Sequence, residues 1–132
     1  MELDRLPIEG LLAGQRALVT GGARGIGRAV ALYLARAGAD VCLSDLRAEE
    51  AERTAGEVRA LGRRAVAVGG DIGQDAARRA LVTAAEREIG PVDVLVNNAG
   101  IMQVVDPFEM SEADWDRMLG INAKAVFFLS QL

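Results

Sequence analysis

The sequence TGGARGIG, residues 20–27, joins a short apolar run to a segment whose apolar residues have helical spacing. Glycines at such a strand-to-helix junction are typical of phosphate-binding turns, because the backbone must approach the anion and the helix N-terminus presents free N–H groups. The alternative is that they only make a tight turn. Three ordered glycines, Gly21, Gly25 and Gly27, followed by a carboxylate at Asp45, favour the phosphate-binding interpretation.

Short apolar runs alternate with stretches of helical period along the rest of the chain. Most residues in each run are apolar, without the alternation of apolar and polar residues seen in half-exposed strands. This pattern favours strands of a parallel sheet that is covered on both faces. The first three helical stretches end just before Gly38, Gly62 and Gly90, and glycine adopts the left-handed conformation that ends a helix. We predict strands at residues 17–20, 41–44, 65–68 and 92–96.

Four strands that alternate with four helices predict an α/β fold with a Rossmann-type, doubly wound parallel sheet. The predicted domain spans residues 1–132, and we expect the fold to be incomplete after its fourth helix. The pattern alone leaves open another α/β arrangement, such as a flavodoxin-like sheet.

Composition limits the chemistry of the chain. It has 132 residues, a net charge of −4 and no histidine, so histidine acid–base catalysis and histidine metal ligation are excluded. The single cysteine, Cys42, lies in an apolar run, which excludes internal disulfides and thiolate metal clusters and predicts a buried free thiol. Basic residues are scattered, which argues against nucleic-acid binding. We predict no metal site, no signal peptide, no membrane span and a cytoplasmic location.

Two motifs together resemble the short-chain dehydrogenase/reductase family. The glycine spacing TGxxxGxG differs from the common dinucleotide fingerprint GxGxxG and matches that family. The related pattern of nucleotide-sugar epimerases needs glycine at the position of Arg24, which disfavours that branch. The second motif, NNAG at residues 97–100, follows the glycine turn by about 70 residues and ends the fourth predicted strand, as in the family.

The resemblance implies that the chain binds a nicotinamide dinucleotide. It places the glycine turn at the pyrophosphate, Asp45 at the adenosine ribose, Asp71 with the next backbone amide at the adenine, and the NNAG motif at the inner ribose. For Asp71, a helix N-cap is an equally open alternative. The implied cofactor-binding residues are Thr20, Gly21, Arg24, Gly25, Ile26, Gly27, Asp45, Asp71, Ile72, Asn98, Ala99 and Gly100.

Asp45 predicts NAD rather than NADP as the cofactor. It lies 18 residues beyond Gly27 at the end of the second predicted strand, where a carboxylate accepts hydrogen bonds from ribose hydroxyls and repels a 2′-phosphate. Arg24 argues for NADP, because NADP-dependent members of the family often have a basic residue there. An arginine can swing away or pair with Asp45, so we expect the carboxylate to decide. The alternative for Asp45 is a surface residue at a strand end.

The fourth predicted helix begins at Ser111, with Asp114 placed for a capping box. Its apolar residues form two stripes, so we expect it to be covered on two sides. Asn122 lies within one stripe, where its amide needs hydrogen-bond partners. The resemblance implies that Asn122 is a catalytic-network residue that kinks the helix and helps hold a water of the proton relay; the alternative is a core asparagine at a bend. In the family this helix also lies in a subunit interface, which implies a homodimer or homotetramer.

The family's chemistry also needs a tyrosine four residues before a lysine, with a serine upstream. The sequence has one tyrosine, Tyr33, and one lysine, Lys124, and neither belongs to such a pair. We therefore expect a fragment, inactive by itself, of an NAD-dependent oxidoreductase that transfers hydride between nicotinamide and a small-molecule secondary alcohol or ketone. The alternative is a non-catalytic nucleotide-binding or interaction module formed by the half-fold.

Overall fold

The computed structural model describes residues 7–132, which form a parallel sheet flanked by helices. Within these residues no helix has the length and hydropathy that a membrane span requires. The strands are β1 Arg16–Thr20, β2 Asp40–Asp45, β3 Ala65–Gly69 and β4 Val94–Val96. The helices are α1 Gly25–Arg36, α2 Ala48–Ala60, α3 Asp75–Glu88, α4 Glu112–Leu119 and α5 Ala125–Leu129, with a π-helical turn, Gly120–Lys124, between the last two.

The strand order is β3-β2-β1-β4, and all neighbouring strands are parallel. This is the order of a Rossmann-type sheet, whereas a flavodoxin-like sheet would place the third strand beside the first. The predicted fold class is therefore confirmed, and the flavodoxin-like alternative is wrong. β1 occupies the centre, where Leu18 pairs with Cys42 on one side and with Leu95 on the other.

Successive side chains of the strands point into two separate cores, as the period of two in a strand requires. Leu18 packs in one core with Leu81 of α3 and Leu129 of α5. The next residue, Val19, packs in the other core against α1 and α2. Burial of each large aliphatic side chain contributes about 1.5–3 kcal/mol, so the helix layers on both faces stabilise the sheet.

The single thiol lies at the centre of this sheet. Cys42 is fully buried, and burial raises the pKa of its thiol to about 12. The thiol is therefore protonated at neutral pH, and it has no disulfide partner because the chain has no second cysteine. The prediction of a buried free thiol is confirmed.

The predicted helix ends are confirmed, and the strand boundaries agree within one residue except at the start of β4. Gly38, Gly62 and Gly90 follow the first three helices with positive φ values of 105°, 81° and 101°. β4 begins at Val94, two residues later than predicted. At Asp93 the backbone N–H still donates to the Arg16 carbonyl, but the Arg16 N–H bonds to the Asp93 carboxylate instead of to a backbone carbonyl of the fourth strand.

The segment after Ser111 differs most from the sequence-based prediction. Ser111 caps α4 as predicted, because its Oγ accepts the Asp114 N–H at 3.1 Å. The helix then widens into the π-helical turn, in which the Ala125 N–H donates to the Gly120 carbonyl. No residue of α4 itself is buried, so of the two predicted faces only the one farther along the segment packs on the sheet. Coverage of the other face, by a partner, stays a prediction. The buried residues lie farther on, at Ile121, Ala125 and Leu129.

Candidate functional site

A cavity of about 410 Å³ opens at the carboxyl end of the sheet. Ligands of open parallel sheets bind at this end, next to the strand where the order of the chain reverses, here β1. Loops after all four strands contribute, and the π-helical turn adds Ile121. The other lining residues are Gly21 and residues 24–27, 44–47, 70–72 and 98–101.

Gly25 and Gly27 are glycines for different physical reasons. Gly25 has a φ of +54°, which favours glycine, although no atom lies within 4 Å of the place where a Cβ would be. At Gly27 a Cβ would lie 2.0 Å from the Gly21 carbonyl oxygen and 2.5 Å from Asn98 Nδ2. Because α1 begins at Gly25, the N–H groups of its first turn, which have no partners within the helix, lie beside the cavity.

Thr20 lies behind the cavity wall. Its side chain is buried, and its hydroxyl donates to the Val96 carbonyl and accepts the N–H groups of Asn98 and Ala99 at 3.1 and 3.0 Å. The Asn98 side-chain amide in turn donates to the carbonyls of Thr20 and Gly21. The prediction that Thr20 faces the pyrophosphate is therefore wrong: the residue ties the glycine turn to the loop after β4.

Asp45 ends β2 at the wall of the cavity and is half-buried, so it is placed where a cofactor-binding carboxylate is expected. Its Oδ2 accepts the Ala23 N–H at 3.2 Å and its Oδ1 accepts the Arg47 N–H at 3.0 Å. A carboxylate can accept about four hydrogen bonds, so each oxygen retains capacity for another donor. Arg24 also lines the cavity, but within residues 7–132 it forms no ion pair with Asp45.

Asp71 and Ile72 line the cavity after β3. The Asp71 Oδ1 accepts the Gly73 N–H at 2.9 Å. The N-cap of α3 is Gln74, three residues farther on, so the alternative that Asp71 caps this helix is wrong. The carboxylate instead closes a short turn with the Gly73 N–H, and this turn lies at the cavity wall.

Asn122 lies in the π-helical turn and is exposed, so the alternative of a core asparagine is wrong. Its amide is nevertheless satisfied. Asn122 Nδ2 donates to the Ile101 carbonyl at 2.7 Å, and Asn122 Oδ1 accepts the Ile101 N–H at 2.8 Å. The predicted distortion of the helix is present, because i→i+5 turns of this kind widen a helix locally. The amide thus fixes the loop that carries Gly100 and Ile101 along the cavity.

The family described as short chain dehydrogenase matches residues 15–132, a range that contains both the glycine turn and the NNAG motif. The chain belongs to the short-chain dehydrogenase family. A 2-dehydro-3-deoxy-D-gluconate 5-dehydrogenase of Dickeya dadantii is 42% identical over 120 residues, which are 91% of this chain and 47% of the relative. A gluconate 5-dehydrogenase of Gluconobacter oxydans has the same identity and coverage. The chain therefore spans about half the length of the curated relatives it matches.

A solved short-chain dehydrogenase of Burkholderia cenocepacia, in complex with NADP, is similar to this chain in both sequence and structure. The two share 43% identity and superpose with a TM-score of 0.88 over 92% of this chain and 50% of that one. The resemblance inferred from the two motifs is thereby confirmed, and the sheet described above is the corresponding part of the family's fold.

In this short-chain dehydrogenase, some residues at or near the cavity belong to neither sequence motif and were not predicted. Arg47 lines the cavity two residues after Asp45. Thr54 of α2 is buried, and its hydroxyl donates to the Ala23 carbonyl at 3.0 Å, so Ala23 is held at its N–H by Asp45 and at its carbonyl by Thr54. A hydroxyl on the apolar side of a helix was the available signal for Thr54. Within residues 7–132, no three Asp, Glu or Cys side chains are grouped to hold a metal ion.

Proposed function

We propose that this chain is the cofactor-binding part of an NAD-dependent oxidoreductase that transfers hydride between nicotinamide and a secondary alcohol or ketone. The observation that carries the proposal is the half-buried Asp45 carboxylate, oriented by two backbone N–H groups beside the glycine turn. When bound, the nicotinamide supplies the site of hydride transfer. Family membership supports the reaction class, and relatives named for gluconate dehydrogenation support a small polyhydroxy substrate.

The residues of the cavity fit an extended dinucleotide. The N-terminus of α1, with Gly25–Gly27 bringing its backbone close, would hold the pyrophosphate through N–H groups and the positive end of the helix dipole. Asp45 would accept the adenosine ribose hydroxyls. Asp71 and Ile72 would hold the adenine, and residues 98–100 would lie along the inner ribose. The absence of a Cβ at Gly27 lets the start of α1 pack against the Gly21 carbonyl, which sets the shape of this turn.

Asp45 supports NAD over NADP, because an ionised carboxylate repels a 2′-phosphate. The exposed arginines at the same cavity, Arg24 and Arg47, and the NADP bound to the Burkholderia relative make NADP the second candidate. We expect isothermal titration calorimetry to give tighter binding of NAD than of NADP. Tighter binding of NADP would refute the role of Asp45.

Replacing Asp45 tests the proposal directly. We expect Asp45→Ala to weaken NAD binding about tenfold, through loss of charge-assisted hydrogen bonds, and to leave NADP binding unchanged or tighter. Asp116→Ala is the matched control, because Asp116 is exposed on α4 and does not line the cavity. An Asp45→Ala variant that keeps the wild-type preference for NAD would contradict the proposal.

Catalysis would need groups beyond the cofactor site. Asn122 would keep the loop at Ile101 in place and would support the proton relay. Because neither Tyr33 nor Lys124 belongs to a Tyr-x-x-x-Lys pair, we expect residues 1–132 alone to bind the dinucleotide without oxidising an alcohol. Turnover by these residues alone would contradict that expectation, and binding without turnover is also what the module alternative predicts for them.

We further propose that the protein is a cytoplasmic homo-oligomer associated through α4 and α5. Trp115, Leu119 and Phe127 are exposed apolar residues on these helices, a pattern that favours a subunit interface. Sedimentation velocity over a range of concentrations tests the association. We expect a dimer or larger species, and Trp115→Glu should shift it toward the monomer.

A further inference from the structure

Arg78 is a buried arginine in α3, with 3% of its surface exposed. Removing a guanidinium from water is unfavourable unless protein groups replace the lost hydration. Its Nη1 donates to the Ile72 carbonyl at 2.7 Å, and its Nη2 lies 3.5 Å from Asp75 Oδ1. Its Nε is buried without a hydrogen-bond partner in the described part of the chain. Arg78 is not among the residues proposed to contact the cofactor.

The bond to Ile72 is the strongest contact that Arg78 makes. It is short and charge-assisted, and both groups are buried. The ion pair with Asp75 is longer, and Asp75 is 60% exposed, so solvent weakens that pair. The guanidinium also lies over the Phe128 ring, 5.7 Å from its centroid, and Phe128 is itself partly exposed. The environment of Arg78 is therefore organised mainly around one backbone carbonyl.

That carbonyl belongs to a loop whose peptide groups are held on several sides. The peptide between Ile72 and Gly73 is fixed at its oxygen by Arg78 and at its N–H by Asp71 Oδ1. The Gln74 N–H donates to the Asp71 carbonyl at 2.9 Å. Within residues 7–132, the Ile72 N–H and Asp71 Oδ2 form no hydrogen bond. One donor and one acceptor of the described residues therefore remain without partners in a loop that lines the cavity.

We propose that Arg78 is a positioning residue for recognition of the adenine ring. By donating to the Ile72 carbonyl, Arg78 fixes the orientation of the loop. The Ile72 N–H can then donate to a ring nitrogen of adenine, and Asp71 Oδ2 can accept from the adenine amino group. The inference rests on the proposed function, because the adenine belongs to the dinucleotide. Arg78 does not line the cavity and acts only through Ile72.

The test compares two dinucleotides that differ only in this base. Nicotinamide hypoxanthine dinucleotide has a carbonyl where NAD has the adenine amino group. Its ring nitrogen carries a proton, so its donor and acceptor are reversed. Calorimetry on the purified protein should give a wild-type preference for NAD of about tenfold. Arg78→Met, which keeps the length of the side chain and removes all donors, should weaken NAD binding about tenfold and bring the preference close to one.

Two further variants separate positioning from packing. Arg78→Lys keeps a donor that can reach the Ile72 carbonyl, so it should recover much of the preference. Arg79→Met is the matched control: Arg79 is exposed on the same helix and pairs with Asp75 Oδ2 at 2.8 Å, and it makes no contact with Ile72. It should bind both dinucleotides as the wild type does. Thermal unfolding should show that Arg78→Met is folded, because the partner Asp75 is exposed and stays hydrated while the methionine fills the buried space.

Each outcome decides the inference. Equal weakening of both dinucleotides in Arg78→Met would assign Arg78 a merely structural role and overturn it, as would wild-type affinity in that variant or a wild-type protein without base preference. If Arg78→Met is insoluble, Arg78→Leu carries the same expectation. A wild-type protein that binds neither NAD, NADP nor the hypoxanthine analogue would instead refute the proposed function.

Discussion

β2 has an aspartate at each end, and the two carboxylates have opposite surroundings. Asp40, at the first residue, accepts hydrogen bonds from Arg63 Nη2 at 2.7 Å and from Arg64 Nε at 2.8 Å, and only 8% of its side chain is exposed. Asp45, at the last residue, accepts only backbone N–H groups. One end of the strand is thus closed by ion pairs, whereas the other presents a carboxylate without a cation.

This difference indicates which end of the sheet is closed by ion pairs and which end, under the proposed function, would hold the cofactor. At the amino end, Arg16 and Asp93 form a second ion pair at 2.8 Å and link β1 to the start of β4. At the carboxyl end, the groups beside the cavity include helix N–H groups, glycine backbone and two arginines that form no ion pair with Asp45 within residues 7–132. Changes at the amino end should therefore alter stability, and changes at the carboxyl end should alter cofactor binding.

The largest effect is expected from Gly27→Ala at the carboxyl end. The new Cβ would lie 2.0 Å from the Gly21 carbonyl oxygen, so the turn must move. We expect NAD affinity to fall at least about 100-fold, equivalent to about 2.7 kcal/mol. Gly56→Ala is the control, because nothing lies within 4 Å of its Cβ in α2, and it should leave binding unchanged. Calorimetry checks both, and wild-type binding by Gly27→Ala would remove the distinction between the two ends.

At the amino end, Asp40→Ala should lower the free energy of unfolding by about 2 kcal/mol, because it leaves two arginines without their carboxylate. The NAD affinity should stay at its wild-type value. Urea denaturation measures the stability, and calorimetry on the folded variant measures the binding. Loss of NAD affinity with unchanged stability would reverse the assignment of the two ends.

The smallest effect concerns pH. Burial by itself raises the pKa of Asp40, but the Arg64 N–H and the guanidinium groups of Arg64 and Arg63 outweigh burial and hold that pKa below its ordinary value. A carboxyl whose folded pKa is lowered stabilises the fold above its unfolded pKa, near 4, and loses that contribution as pH falls through the folded pKa. We expect the wild type to lose about 1 kcal/mol more than Asp40→Ala as pH falls from 5 to 3. Equal losses in urea denaturation would contradict this contribution.

Local rules sufficed for the elements and for the glycine turn. The apolar runs identified the strands, and helix-ending glycines gave α1, α2 and α3, because these signals act over a few residues. Thr20 could not be placed correctly because its hydroxyl partners lie in the loop after β4, more than 70 residues away. The π-helical turn and Arg78 depend likewise on contacts between elements, which a single sequence does not display.

The ion pairs of Asp40 with Arg63 and Arg64 also could not be predicted from the sequence. Arg63 and Arg64 precede β3, and only the parallel pairing of β2 with β3 brings them to Asp40. By contrast, Asp45 was identified because its distance from the glycine turn is a feature of the chain itself. Spacing along the chain thus predicted residues that line the cavity better than it predicted residues that stabilise the sheet.

The single thiol, at the middle of β2, can serve as a chemical probe for opening of the fold. A water-soluble alkylating reagent can reach Cys42 only when the sheet separates from its helices, since the residue is fully buried and its sulfur is protonated at neutral pH. When alkylation is slower than reclosing, the labelling rate is proportional to the fraction of molecules that are open. A ligand that binds only the closed sheet should lower the labelling rate of Cys42 by the factor by which it stabilises the fold.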